Sequence, residues 1–225
     1  AEMLMNGEEW SPQKWLGQPH LSTDELAQSI KEINLSLYRA VAAIPDLADQ
    51  AIPEFSNQWD ELPTLEYGKE EVISYFFNVL NGKSSGERNY LEGDTAYISS
   101  GDSLNSIIRL VKSEDEEIFP AGGITVTAFG QAYVQPWPFM ARGNGGSSVR
   151  VLIPKFKMNF KELCWFAAQI NSQKWRIFYA RMAIKSRLEK TMVFAPDTPL
   201  IENQDSDDIA KKLNIFRDHL LDLSE

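Results

Sequence analysis

Gly123-Ile-Thr-Val-Thr-Ala128, followed after Phe129 and Gly130 by Gln131-Ala-Tyr-Val134, decides the fold class. Two runs of β-branched and aromatic residues parted by a glycine-bearing turn predict paired strands. Working outward, Ile73-Ser-Tyr-Phe-Phe-Asn-Val-Leu80, Thr95-Ala-Tyr-Ile98, Ile107-Ile-Arg-Leu-Val111 and Val149-Arg-Val-Leu-Ile153 have the same texture. No strand–helix–strand rhythm separates them, so the sheet is expected to be mixed or mainly antiparallel and curved. Helices flank this block. Ser22 and Thr23 precede two acids, and Leu26, Ile30, Ile33, Leu37 and Val41 follow at helical spacing, ending before Pro45, with Pro53 limiting a second short helix. Asn159 caps an apolar helix over residues 159–170, which is predicted to continue from Gln173 to Lys190, where helical spacing assigns Trp175, Phe178 and Tyr179 to the core rather than to base-stacking platforms. Thr191-Met-Val-Phe-Ala-Pro196 predicts a last strand, and Ile209, Leu213, Phe216, Leu220 and Leu223 a C-terminal helix. The expected class is α+β. Residues 1–66 are expected to form an arm and a helix, with Trp10 and Trp15 packing down. Residues 67–196 should form the sheet domain, and 197–225 a docking helix.

With 225 residues and 43% hydrophobic content the chain can bury a real core. Pro120, several glycines and Pro136 break the longest apolar stretch, so no membrane span is expected. The acidic start, Ala1-Glu-Met-Leu-Met-Asn-Gly-Glu-Glu9, lacks the basic region of an export signal. Cys164, the only cysteine, lies in an apolar helical run and is expected to be a buried, reduced thiol, so a cytoplasmic setting is expected. Beginning at Ala1, the chain is read as either processed or cut from a longer polypeptide. The net charge of −10 disfavours a nucleic-acid partner when averaged. Its distribution differs: residues 1–75 carry −10, 76–149 carry −3, 191–225 carry −5, and 150–190 carry +8, from ten basic and two acidic side chains. A basic block inside an acidic chain is either a solvated helix face or an electrostatic footprint.

Catalytic constellations lack material. His20 and His219 are the only histidines, so zinc clusters and histidine triads are not expected. Glu70-Glu71 and Glu114-Asp-Glu-Glu117 fit solvated surface charge. Asp94 and Asp102 flank a strand, but no acid-x-Lys follows to hold a metal and water. Asn81-Gly-Lys-Ser-Ser looks like part of a phosphate loop, yet the upstream glycine is missing. No cofactor, metal or catalytic residue is expected.

A series of motifs in fixed order is more informative. Asn81-Gly-Lys-Ser-Ser-Gly-Glu-Arg-Asn-Tyr90 precedes Gly93-Asp-Thr-Ala-Tyr-Ile-Ser-Ser100. Gly122-Gly-Ile-Thr-Val-Thr-Ala-Phe-Gly-Gln-Ala132 and Pro136-Trp-Pro-Phe-Met-Ala-Arg142 follow. Trp175-Arg-Ile-Phe-Tyr-Ala-Arg-Met182, Arg187-Leu188 and Val193-Phe-Ala-Pro196 close the series. Over about residues 67–196 this order resembles the target-recognition domain of type I restriction-modification specificity subunits, and the equivalent C-terminal domain of single-chain restriction-modification enzymes. The resemblance implies a non-catalytic module that binds double-stranded DNA and directs a DNA methyltransferase or restriction subunit, or the rest of a longer chain. A full specificity subunit has two such domains, whereas one is found here. Gly101-Asp-Ser-Leu-Asn105 also stands where the family often has Asn-Asn-Gly.

Under that resemblance, donors and acceptors for base edges come from Ser99, Ser100, Thr125, Thr127, Gln131, Arg142 and Asn144, with Arg142 the foremost candidate. Lys83, Arg88, Lys185 and the loop Gly143-Asn-Gly-Gly-Ser-Ser148 are candidates for phosphates, beside Ser84 and Ser85 of the glycine–lysine turn. Arg181 and Lys185 suit either DNA or tying their helix to the sheet. Two other readings stay open at this level: an acidic DNA mimic or protein-binding inhibitor, which the net charge suits, and a divergent nuclease domain.

Overall fold

The computed structural model describes residues 22–50, 61–113, 115–200 and 209–223; the Trp10/Trp15 arm and Pro53 lie outside them. Helix α1 spans Thr23–Ala43, started by Ser22, whose hydroxyl accepts from Glu25 N–H while the Glu25 carboxylate accepts from Ser22 N–H. Both orphan donors of the first turn are thereby satisfied. Pro45 opens the single turn α2, Pro45–Ala48. Then come β1 (Glu70–Val72), the one-turn α3 (Ile73–Phe76), β2 (Phe77–Asn81), β3 (Glu92–Ile98), β4 (Ile107–Val111) and β5 (Ile118–Phe119). Strands β6 (Gly123–Val126), β7 (Ala132–Gln135), β8 (Phe139–Ala141) and β9 (Arg150–Pro154) follow. The chain ends with α4 (Phe160–Ser172), α5 (Lys185–Leu188), β10 (Met192–Phe194) and α6 (Ile209–Asp222). No helix among the described residues is long and apolar enough to cross a membrane.

The fold is α+β. The strands form three sheets rather than a single curved one: β2-β9-β6-β7, wholly antiparallel; β4-β3-β8-β5, with β3 and β8 parallel; and the pair β1-β10. Strand β6 is buried at every position, so both of its faces are covered. Alternation puts Ile124 and Val126 on the face that packs under α4, and Gly123 and Thr125 on the face that meets Phe139 and Gln135. Helix α1 lies against α4 and shares its core, through Leu26, Ile33, Leu37 and Val41. Tyr38 meets Phe216 of α6 edge to face, 5.4 Å between centroids.

Two predicted elements differ. The run 73–80 is not one strand, because Tyr75, Phe76 and Phe77 need more directions than the two a strand provides. A helical turn lets Tyr75 stack on Phe156 while Phe76 and Phe77 both reach Phe166. The second difference is at 173–190, where no continuous helix forms. Helix α4 stops at Ser172, since the Asn171 amide is tied to both backbone groups of Ala132 (2.6 and 3.0 Å) and Gln173 donates to the Met192 carbonyl. A 3-10 turn over Lys174–Arg176, a tight turn joining Phe178 to Arg181 and the short α5 replace it.

Leu104, Asn105 and Ser106 hold three successive left-handed backbone conformations, φ +49°, +57° and +60°, unusual for residues with a Cβ. Buried hydrogen bonds fix them. Asn105 N–H donates to Ser36 Oγ of α1 (2.8 Å), and its amide donates to Val134 O and Gln135 Oε1. Gln135 returns a bond to Asn105 O and gives another to Thr125 Oγ1. Asn105→Ala removes two of these bonds and the residue type that best tolerates this backbone; a loss of roughly 2–3 kcal/mol is expected in urea denaturation. Cys164 is buried, and burial pushes its thiol well above its ordinary range. It should resist a disulfide reagent in native buffer and react fully in denaturant.

Candidate nucleic-acid interface

Beyond β2 and β8 the chain makes a seam between the two larger sheets. Gly82 N–H donates to Val149 O, Ser84 N–H to Ala141 O, and Gly143 N–H back to Ser84 O. Arg142 N–H donates to Ile98 O while its own carbonyl accepts from Val149 N–H. Register carries the alignment further, since Asn81 and Val126 both pair with Arg150, and Ile98 pairs with Ala141. The ends of β2, β3, β6 and β8 and the start of β9 therefore come together. The loops at 82–90, 99–101, 127–131 and 142–148 emerge from this one end. Residues 174–184 lie over the 127–131 loop: Ala183 N–H donates to Ala128 O, and Lys174 Nζ to Gln131 Oε1 at 3.2 Å.

The sequence-derived candidates divide by burial. Lys83, Arg88 and Asn144 are exposed. The Lys83 ammonium sits 4.8 Å over the Phe119 ring and donates to Glu116 O. Ser85 is half-buried, with its N–H and hydroxyl on the Tyr90 phenol. Ser100 Oγ accepts from Ala128 N–H at 2.9 Å, joining the serine strand to the β6–β7 turn. Arg142 lies at the rim, its guanidinium 3.6 Å from the Glu87 carboxylate and donating to Asn144 O. Arg181 is half-buried, and Lys185 is 3.7 Å from Glu189 on the surface. Ser84, Ser99, Thr125 and Thr127 are buried, however, and present nothing to a partner outside. Thr125 instead accepts from Gln135, and Thr127 Oγ1 accepts from Gln131 N–H, closing the turn.

Several supports hold these loops. Arg109 donates to the carbonyls of Glu87 and Tyr90, and the Tyr90 hydroxyl donates to Glu117. Tyr97 donates to Ser85 O; burial pushes its phenol up to about 12, keeping it a neutral donor. Asp94, the acid considered for a nuclease within β3, and Asp102, in the bend beyond its end, belong to no cluster of three metal-ligating side chains among the described residues.

Other residues here were not among the sequence-derived site candidates: Arg150, Lys174, Arg176, Arg187, and the exposed Phe129, Trp175, Phe178 and Tyr179. The +8 block was the available signal for the cations. The aromatics were assigned to a core by their spacing, yet Trp175, Phe178 and Tyr179 are 67%, 54% and 84% exposed. Arg176 has its pKa lowered by burial and, next, by the charge of Arg181, so these guanidiniums crowd one another.

No family model matches the chain, and no curated protein matches its sequence. Solved structures with a similar fold include the type I restriction-modification system S subunit from M. genitalium, 16% identical, covering 89% of this chain and 51% of that one, TM-score 0.43. The HsdS subunit from Thermoanaerobacter tengcongensis is 16% identical over 88% of this chain and 46% of that one, TM-score 0.41. A chain from a type I R-M system is 14% identical over 89% and 50%, TM-score 0.40. The chain thus spans about half the length of these proteins.

The seam depends on two glycines. A Cβ on Gly82 would collide with the carbonyl oxygens of Arg142 and Ala141, and one on Gly143 with the Gly82 carbonyl. These neighbours are hydrogen-bonded backbone and cannot swing away. Gly82→Ala and Gly143→Ala should each cost about 1–3 kcal/mol in chemical denaturation. Amide exchange should quicken at Ser84 and Gly143 first.

Proposed function

We propose that this chain is the sequence-recognition module of a restriction-modification system, binding duplex DNA with its loop-bearing end and directing a partner methyltransferase or endonuclease. The observation that carries the reading is the convergence of Lys83, Arg88, Ser100, Gln131, Arg142, Asn144, Lys174 and Arg181 on that one end. A groove reader needs donors and acceptors set on a rigid frame, flanked by cations that meet phosphates. The seam supplies the frame. The ordered motifs between Asn81 and Pro196 support the same assignment.

In this reading residues 67–196 read DNA, the helices in 1–66 and 197–225 dock on the partner or on the rest of a longer chain, and the chemistry lies outside this chain. Arg142 has the reach of a groove contact, and Glu87 holds it ready. A half-exposed ion pair of this kind contributes little stability, so a guanine edge can displace the carboxylate. The setting is cytoplasmic, where the target DNA lies.

Selection from a randomised duplex pool tests the proposal. A consensus should emerge, and binding should weaken linearly with the logarithm of salt. Lys83→Ala and Lys174→Ala should each reduce the salt slope by about one without changing the consensus. Arg142→Ala should relax one position of it, a discrimination worth about 1–3 kcal/mol. A pool that yields no consensus would overturn the reading.

A further inference from the structure

Residues 173–190 combine two features that the duplex reading does not need together. They hold six cations, Lys174, Arg176, Arg181, Lys185, Arg187 and Lys190, against one acid, Glu189, which lies beside Lys185. Arg176, Arg181, Arg187 and Lys190 line a half-open cavity of about 430 Å³ together with apolar residues such as Ile177 and Leu188, and no carboxylate among the described residues lines it. Arg176 donates to Gln173 and Arg187 to the Met182 carbonyl, so two of the guanidiniums are held in place. Around this cavity the chain turns Trp175, Phe178 and Tyr179 outward, with Tyr179 in the tight turn that links Phe178 to Arg181.

Large exposed aromatics and arginines alone would suit a protein partner, but protein interfaces are depleted in lysine, and Lys174, Lys185 and Lys190 make up half of this segment's six cations. Cations alone would suit duplex phosphates. Flat rings need the faces of bases, however, and a paired, stacked duplex offers only base edges in its grooves. Aromatic platforms beside a cationic groove are the arrangement that binds unstacked strands.

We propose that residues 174–190 form a seat for unstacked nucleotides: Trp175, Phe178 and Tyr179 stack exposed bases, and the arginine-lined cavity holds the phosphates between them. The inference rests on the DNA reading above and adds to it a preference for DNA opened beside the recognised site. A methyltransferase that extrudes its target base creates such DNA, and a platform that captures the unpaired strand lowers the cost of opening.

The test uses the whole chain and three labelled probes followed by fluorescence anisotropy: a paired duplex of mixed sequence, the same duplex with a central mismatched bubble, and one of its single strands. The bubble should bind about tenfold more tightly than the paired duplex. The double variant Trp175→Ala/Tyr179→Ala should bring the bubble down to the level of the duplex, with an unchanged melting temperature because both side chains are exposed. Arg181→Ala with Arg187→Ala should weaken the single strand and flatten its salt dependence. Equal binding of bubble and duplex, or a bubble preference that survives the aromatic variant, overturns the seat while leaving duplex recognition standing. Failure of all three probes to bind overturns the duplex reading and the seat with it.

Discussion

The backbone crossing of residues 82–84 with 141–143 is the constraint on which the rest of the arrangement depends. Two four-stranded sheets could pack in many ways, and most would leave their loops facing apart. Here β8 runs parallel to β3 and then continues past Ala141 into hydrogen bonds with the extension of β2. That single continuation ties the end of one sheet to the end of the other. Such an approach is open only to a chain without side chains at the crossing, which explains a glycine on each side of it, Gly82 and Gly143. The polar loops inherit their common direction from this backbone geometry rather than from contacts among themselves.

Much of the scaffold was legible in the sequence because its signals are local. The Ser22 and Asn159 caps, each with a glutamate three residues on, set where α1 and α4 begin. The β6–β7 pair follows from β-branched runs around Gly130, whose φ of +83° the turn requires. The misread segments are those decided by distant partners. Helical spacing in 173–190 was satisfied, but spacing says nothing about competitors for the backbone. Asn171 and Gln173 hold the chain to Ala132 and Met192, and Ala183 binds Ala128, so extended and turn conformations win.

The candidate site was half legible, for a related reason. Thr125 and Thr127 were read as donors and acceptors for base edges, a role that needs one open face of an alternating strand. Strand β6 is central, though, and both of its faces are covered, so Thr125 accepts from Gln135 inside the sheet, while Thr127, just past the strand's end, is buried and closes the turn with Gln131. Ser84 and Ser99 are likewise interior, since the seam encloses them. Loop residues, by contrast, kept their expected exposure: Lys83, Arg88 and Asn144 need no tertiary partner to point outward. Burial of a polar side chain is set by sheet order, which no single stretch encodes.

Charge is divided between the two parts of the loop-bearing end, and under the proposed function the division suits a reader that must ignore most DNA. Around the 82–90 loop acids stand among the polar groups: Arg142 faces Glu87, and the Tyr90 hydroxyl donates to Glu117. In the proposed reading these acids partly offset what Lys83 and Arg88 offer phosphates, so base edges of fitting geometry decide which sequences gain from contact. The surplus of positive charge lies instead at 174–190, beyond the 127–131 turn. Attraction of that kind is long-ranged and indifferent to sequence. Under the proposed function, placing it beside the reading loops, rather than among them, lets the acidic chain approach DNA through one region and discriminate through another.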